Sequence, residues 1–195
     1  AGYRVRALKP LATGFDPAHS ENSDSGLLLK ALGLPLNEKN LAEVSPWQFS
    51  AALSPDMAAA LENRTIDFQK LIAFCSRKTD VDITLIEGIG GVMVPLNQEH
   101  TVLDWIHALG VPVVLVVGSY LGTLSHTLSA AGMLQARGQT IAGVIVSESI
   151  NQPVKVEKTA QILKRFLSPT LVQILPRLDN SETAPNLLTL LGPHL

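Results

Sequence analysis

Glu87 ends a short apolar run, Ile83-Thr84-Leu85-Ile86, and glycines follow at Gly88, Gly90 and Gly91. Apolar residues deliver the carboxylate to a strand end, and the glycines let a ligand or another backbone come close. The pattern suits an oxygen ligand for a hard divalent ion, and it equally suits a solvent-facing strand cap. Asp24 is the second candidate oxygen ligand; beside a helix start it is also a natural cap, a role Ser23 could fill instead. Lys9 precedes Pro10 and Thr13-Gly14, so a cation and a hydroxyl could approach one anionic group from a single strand-to-loop turn. An ordinary exposed lysine is the competing reading. His126 lies one turn into a helix after Gly122, where it either contacts a ligand or packs structurally, and packing is the weightier reading. His19, His100, His107 and His194 form no metal-ligand spacing with it.

Other chemistries find little support. The chain has no G-x-S-x-G elbow, no H-E-x-x-H segment and no G-x-x-x-x-G-K-[ST] phosphate loop, and its glycines make no dinucleotide fingerprint. Cys75, the sole cysteine, falls on an apolar helical face and reads as core. A lone cysteine excludes an intrachain disulfide and fits a reducing, cytoplasmic setting.

The elements that must position these residues alternate. Strands are predicted from Tyr3 to Leu8, 83–86, 111–117, 141–146 and 171–175. Helices are predicted over 25–32, 55–61, from Asp67 through Cys75, 102–109, 123–137, about 154–166 and 184–191. Residues 9–24 read as a connection, 36–53 show no sustained period, and 92–96 return to apolar character. Strands separated by helices of this length favour a largely parallel α/β sheet with helices on both faces. Ligands then belong at the carboxyl ends of strands, where Lys9, Glu87, Gly118 and Ser147 fall.

The 195 residues are 46% hydrophobic, enough for one substantial core, and a single domain over 1–195 is expected. Fifteen Lys plus Arg against seventeen Asp plus Glu, a net charge of −2, suggests neither a nucleic-acid surface nor an acidic tail. The longest apolar block, Val111 to Val117, is far shorter than the roughly 20 residues that cross a bilayer. Small molecules and protein surfaces are the expected partners.

At Ile86-Glu87-Gly88-Ile89-Gly90-Gly91-Val92-Met93-Val94-Pro95-Leu96 the chain resembles the Glu-Gly-Ala-Gly-Gly segment of the dethiobiotin synthetase family. Leu8-Lys9-Pro10-Leu11-Ala12-Thr13-Gly14 is similar to that family's second-strand signature, Asn22-Ser23-Asp24 to its acidic metal-site turn, and Leu53-Ser54-Pro55 to its loop before the substrate region. Val116-Val117-Gly118, Leu121 through His126, Ile141 through Ile145 and Ile174-Leu175-Pro176-Arg177 match later segments in the same order.

The resemblance implies a P-loop NTPase-like fold and an ATP- and magnesium-dependent ring closure. The reaction joins CO2 to 7,8-diaminononanoate, giving dethiobiotin, ADP and phosphate in biotin biosynthesis. Residue by residue, it implies that Asp24 and Glu87 hold Mg2+ beside the triphosphate, with Gly88 and Gly90 on the nucleotide side. Lys9 would stabilise the carbamate and the transferred phosphate, and Thr13 would assist positioning. Pro55, Leu121, Gly122, Thr123 and His126 would lie by the diamine, while Ser147, Pro176, Arg177 and Leu178 would approach adenine. A cytoplasmic homodimer is implied, with no role for nucleic acid or membrane.

Two departures qualify this. The family's first strand and Gly-Lys-Thr loop are missing, so the domain is expected to be amino-terminally incomplete and this polypeptide inactive. Ser147-Glu148 stands where family members often carry Asn-Asp, leaving fewer amides to read an adenine edge. The alternatives are a corrinoid a,c-diamide synthetase-like ligase and a non-catalytic dimerisation or regulatory remnant.

Overall fold

The apolar start of the chain forms strand β1 (Val5–Leu8), which breaks at Lys9-Pro10 and resumes as β2 (Leu11–Thr13). In this computed structural model residues 2–178 and 184–192 are described. They fall into two compact units, Ala1–Leu109 and Gly110–Leu195.

In the first unit the break at Pro10 changes partners. β1 pairs in parallel with β4 (Ile83–Ile86), and β2 pairs in parallel with β3 (Trp47–Phe49). The expectation that residues 9–24 form only a connection is corrected here. Proline lacks an N–H but keeps its carbonyl, and Pro10 O accepts from Trp47 N at 3.1 Å, so the ladder passes to the other neighbour. A 3-10 turn, Pro17–Asn22, then leads into α1 (Asp24–Ala31).

Residues 36–53 also carry more order than their pattern suggests. Helix α2 (Glu38–Val44) starts where the Asn37 side chain accepts from Asn40 N at 2.9 Å, and β3 follows after Pro46. Both elements are too short for periodicity to register. Conversely, the apolar stretch 92–96 is no strand: Val94 N donates to Gly91 O in a turn, and Pro95 makes an isolated antiparallel bridge to Thr101.

Two further helices close this core. α3 (Pro55–Leu61) begins with proline at its first position, and Asp67 caps α4 (Phe68–Cys75) by accepting from Lys70 N at 3.0 Å. Leu71 and Cys75, four residues apart, bury with Val102 and Trp105 of α5 (Val102–Leu109). Burial pushes the Cys75 thiol up to about 11, the neutral side chain expected of a core residue.

The second unit is a three-stranded parallel sheet in the order β5 (Val113–Val117), β6 (Ile141–Ser147), β7 (Val172–Leu175). Helices α6 (Thr123–Ala136) and α7 (Val156–Leu167) make the crossovers that parallel strands require. In α7 Val156, Thr159, Ala160, Leu163 and Leu167 are buried, a three- and four-residue spacing that turns one stripe onto Val144, Val146 and Val172. The helix expected over 184–191 is only a 3-10 turn, Leu188–Leu190, whose Leu190 is buried. No helix among the described residues is long and apolar enough to cross a membrane.

Gly26 sits where α1 meets the turn before it. A Cβ at this position would run into the Ser20 carbonyl oxygen and lie 3.0 Å from Glu21 Cα, both backbone atoms. Gly26→Ala should therefore displace that turn and lower stability by about 1–3 kcal/mol in urea denaturation. An unchanged unfolding midpoint would contradict the packing described. Cys75 in the native chain should react with a disulfide reagent at pH 8 about a hundredfold slower than a free thiol, and denaturant should abolish the protection.

Candidate functional site

Parallel pairing places Leu8 opposite Ile86, so the next residues on the two strands, Lys9 and Glu87, leave the sheet side by side. Glu87 N donates to Leu8 O at 2.8 Å, extending the ladder by one step, while Lys9 N donates to Val44 O at 3.1 Å. The Lys9 ammonium reaches Glu87 Oε1 at 2.6 Å and Gly88 O at 2.9 Å. Asp24 completes the group, its Oδ2 3.0 Å from the same nitrogen. Ser23 makes this possible by taking the capping role: its Oγ accepts from Gly26 N at 3.1 Å and donates to Ser20 O at 2.6 Å. Asp24, in the first turn, keeps its carboxylate for Lys9.

The ordinary-lysine reading of Lys9 is thus replaced. Its side chain is 7% exposed, against 59% for Asp24 and 51% for Glu87. A desolvated ammonium is held by a charge-assisted hydrogen bond to Glu87 and an ion pair with Asp24, two carboxylates that still face solvent. One positive charge against two negative ones leaves room for a further cation, and the carboxylate oxygens converging on one point are the hard donors that Mg2+ prefers. The protein offers two such ligands, so most of an octahedral shell would come from water or phosphate oxygens. No group of three or more His, Cys, Asp or Glu side chains suited to a metal occurs among the described residues.

Around this cluster, Gly90 has φ +61, and a Cβ there would lie 2.8 Å from Val94 Cγ2, which explains glycine in the turn after the carboxylate. Thr13 is half-buried in β2 opposite Phe49, and no hydrogen bond joins its side chain to Lys9, Asp24 or Glu87 among the described residues. Pro55 is buried at the start of α3 behind Ser54, whose Oγ donates to Asp56 Oδ1 at 2.5 Å.

In the second unit, Gly118, Ser147 and Leu175 stand at the carboxyl ends of neighbouring strands. Gly122 (φ +97) is the left-handed residue before α6, and buried Thr123 donates its Oγ1 proton to Gly118 O at 2.7 Å. Leu121 is 85% exposed. His126 is exposed too, which overturns structural packing: its Nδ1 lies 3.0 Å from Tyr120 Oη, leaving an imidazole and a phenol together on the surface.

The loops after β6 and β7 are clamped by Glu148. Glu148 N donates to Leu175 O at 2.9 Å, and its carboxylate accepts from Arg177 N at 3.0 Å and Gln152 Nε2 at 2.8 Å. The Arg177 N–H, then Gln152, hold this carboxyl below its ordinary value. Its contribution is therefore complete above the usual glutamate range and is lost only as pH falls through the lower folded value. Ser147 pairs with Leu175 at this rim, and Pro176, Arg177 and Leu178 are exposed beside it.

Sequence reasoning did not single out Glu148 as a clamp, nor Ser119, Ser149 and Gln152. Ser119 is fully buried; it donates its N–H to Ser149 Oγ at 3.0 Å and its hydroxyl proton to Gln152 Oε1 at 2.9 Å, and its Oγ accepts from Ser149 N at 2.9 Å. The only available signal was a small hydroxyl residue two positions past each of two apolar strands, and reciprocal bonding across 30 residues of sequence leaves no local pattern.

Residues 1–184 match a family model described as an AAA domain, and parallel strands with flanking helices agree with a P-loop NTPase-like fold. The ATP-dependent dethiobiotin synthetase BioD of Acidiphilium cryptum (strain JF-5) is 50% identical over 169 residues, covering 85% of this chain and 76% of that protein. Its counterpart from Caulobacter vibrioides (strain NA1000 / CB15N) is 43% identical over 182 residues, covering 92% and 81%. That of Aromatoleum aromaticum (strain DSM 19018 / LMG 30748 / EbN1) is 30% identical over 186 residues, covering 94% and 81%. Identity at this level, sustained across most of each protein, shows that the chain belongs to the ATP-dependent dethiobiotin synthetase family.

Proposed function

We propose that this ligase-type chain serves the ring closure for which its relatives are named, forming dethiobiotin from 7,8-diaminononanoate, CO2 and ATP. The observation that carries the reading is the buried Lys9 ammonium at a strand end, ion-paired with Asp24 and Glu87. One amine of the substrate takes up CO2 and loses a proton to become a carbamate. A carbamate oxygen attacks the γ-phosphorus of ATP, and the bond to ADP breaks. The second amine then attacks the carbonyl of the mixed anhydride; phosphate leaves, a proton is lost and the ring closes.

Each step gathers negative charge on oxygen, so fixed cations and N–H donors do the work and no protein nucleophile is needed. Lys9 is assigned to the carbamate and the transferred phosphoryl oxygens, with Thr13 as a positioning residue. Asp24 and Glu87 would hold magnesium, which when bound neutralises phosphate charge and orients the triphosphate. Gly88 and Gly90 let the phosphates approach the backbone. On the family resemblance alone, Pro55, Leu121, Gly122, Thr123 and His126 are assigned to the diamine. Ser147, Pro176, Arg177 and Leu178 are assigned to the adenine, and Glu148 holds the Arg177 backbone among them.

The 195 residues contain no Gly-Lys-[Ser/Thr] phosphate loop. Without its N–H donors and lysine charge, these residues alone should not turn over. Fusing the amino-terminal segment of the Acidiphilium relative ahead of residue 1 should yield ATP- and magnesium-dependent dethiobiotin, detected by mass spectrometry. A folded fusion that makes none would overturn the assignment, and turnover by the unfused chain would overturn the need for the loop. In the fusion, Asp24→Asn and Glu87→Gln should each lower kcat about a hundredfold or more. Glu148→Ala should act differently, raising KM for ATP about tenfold while leaving kcat nearly unchanged. A kcat loss with unaltered KM would contradict its place as an adenine-rim clamp.

A further inference from the structure

The reaction needs the charge and N–H donors of Lys9 for substrate oxygens, and in the structure two carboxylates and a carbonyl already engage that ammonium. Of the three donors an ammonium carries, Glu87 Oε1 at 2.6 Å and Gly88 O at 2.9 Å take two, and Asp24 Oδ2 forms an ion pair with the same nitrogen at 3.0 Å. The same two carboxylates are the ones assigned to the divalent cation. Their side chains are 59% and 51% exposed, whereas Lys9 is 7% exposed, so an ion arriving from solvent meets the carboxylates with the ammonium already between them. A divalent cation and an ammonium on the same two oxygens repel strongly at such separations, and the oxygens favour the higher charge.

We propose that Lys9 is an exchangeable placeholder for the divalent cation. Without metal, its ammonium neutralises Asp24 and Glu87 and keeps two like charges from facing one another bare. When the cation takes the carboxylates, Lys9 is turned off them and its N–H donors become available to substrate oxygens. Loading thus has an order, in which the metal arms the lysine. Lysine suits this role because it is a compact charge on a flexible stem, whereas an arginine fork would clamp a carboxylate through two parallel bonds. The Gly88 carbonyl supplies an uncharged acceptor beside the two carboxylates, so part of the resting ammonium's hold is independent of them.

The proposal rests on the magnesium reading above, and the test separates the two. Mn2+ is titrated into the purified chain without nucleotide and followed by electron paramagnetic resonance, for the wild type, Lys9→Met and Asp24→Asn. Lys9→Met should bind Mn2+ about tenfold more tightly than wild type, because the ion no longer displaces an ammonium. Asp24→Asn should bind weakly or not at all. In the wild-type chain, an amine-acylating reagent with peptide mapping should label Lys9 several-fold faster in saturating Mg2+ than in chelator. This second readout decides the matter if Lys9→Met does not fold. Equal or weaker Mn2+ binding by folded Lys9→Met, or labelling of Lys9 that ignores Mg2+, overturns the exchange; the magnesium reading survives if Asp24→Asn abolishes binding. Failure of both wild type and Lys9→Met to bind Mn2+ overturns the exchange and that reading together.

Discussion

The parallel register between β1 and β4 is the constraint on which the first unit depends. With Leu8 opposite Ile86, a lysine and a glutamate leave the sheet on adjacent strands, and one backbone bond from Glu87 N to Leu8 O locks their relative height. A slip of one residue between these strands would turn one of the two side chains to the opposite face and leave a desolvated ammonium without Glu87. Burying Lys9 costs several kcal/mol in solvation, offset only because two carboxylate oxygens and a carbonyl meet it within 3.0 Å. Leu11, Phe49, Leu71 and Trp105 form the apolar core that holds these strands in place.

The approach of α1 serves the same charge group. Ser23 rather than Asp24 pays for the helix start, and Gly26 lets the preceding turn lie close against the first helical turn. Three small choices in four positions therefore bring one carboxylate to Lys9. In the second unit hydroxyls and amides do comparable work: Ser119, Ser149, Gln152 and Glu148 join the loops that follow β5, β6 and β7, and they do so with side chains where the ladder itself has ended.

Much of this could be read from residue order. The Val113–Val117 and Ile141–Ser147 strands are apolar enough to announce themselves, and the spacing of Leu71 and Cys75 or of Ala160, Leu163 and Leu167 marks helix faces. Glu87 and Asp24 stood out by position. What remained hidden depended on non-local hydrogen bonding or very short elements. β2 and β3 span three residues each and need one another; α2 is barely two turns; Ser119 meets Ser149 only after both strands are placed. The character of Lys9 was hidden for the same reason, since an exposed and a buried lysine look alike until residues 24 and 87 are brought beside it.

The charge group of the first unit turns on that ammonium, and a crystal structure of the chain grown in chelator would measure it directly. The prediction is density for Lys9 Nζ within hydrogen-bond distance of both the Asp24 and Glu87 carboxylates and the Gly88 carbonyl. A Lys9 side chain extended into solvent, with Asp24 and Glu87 turned apart, would contradict it.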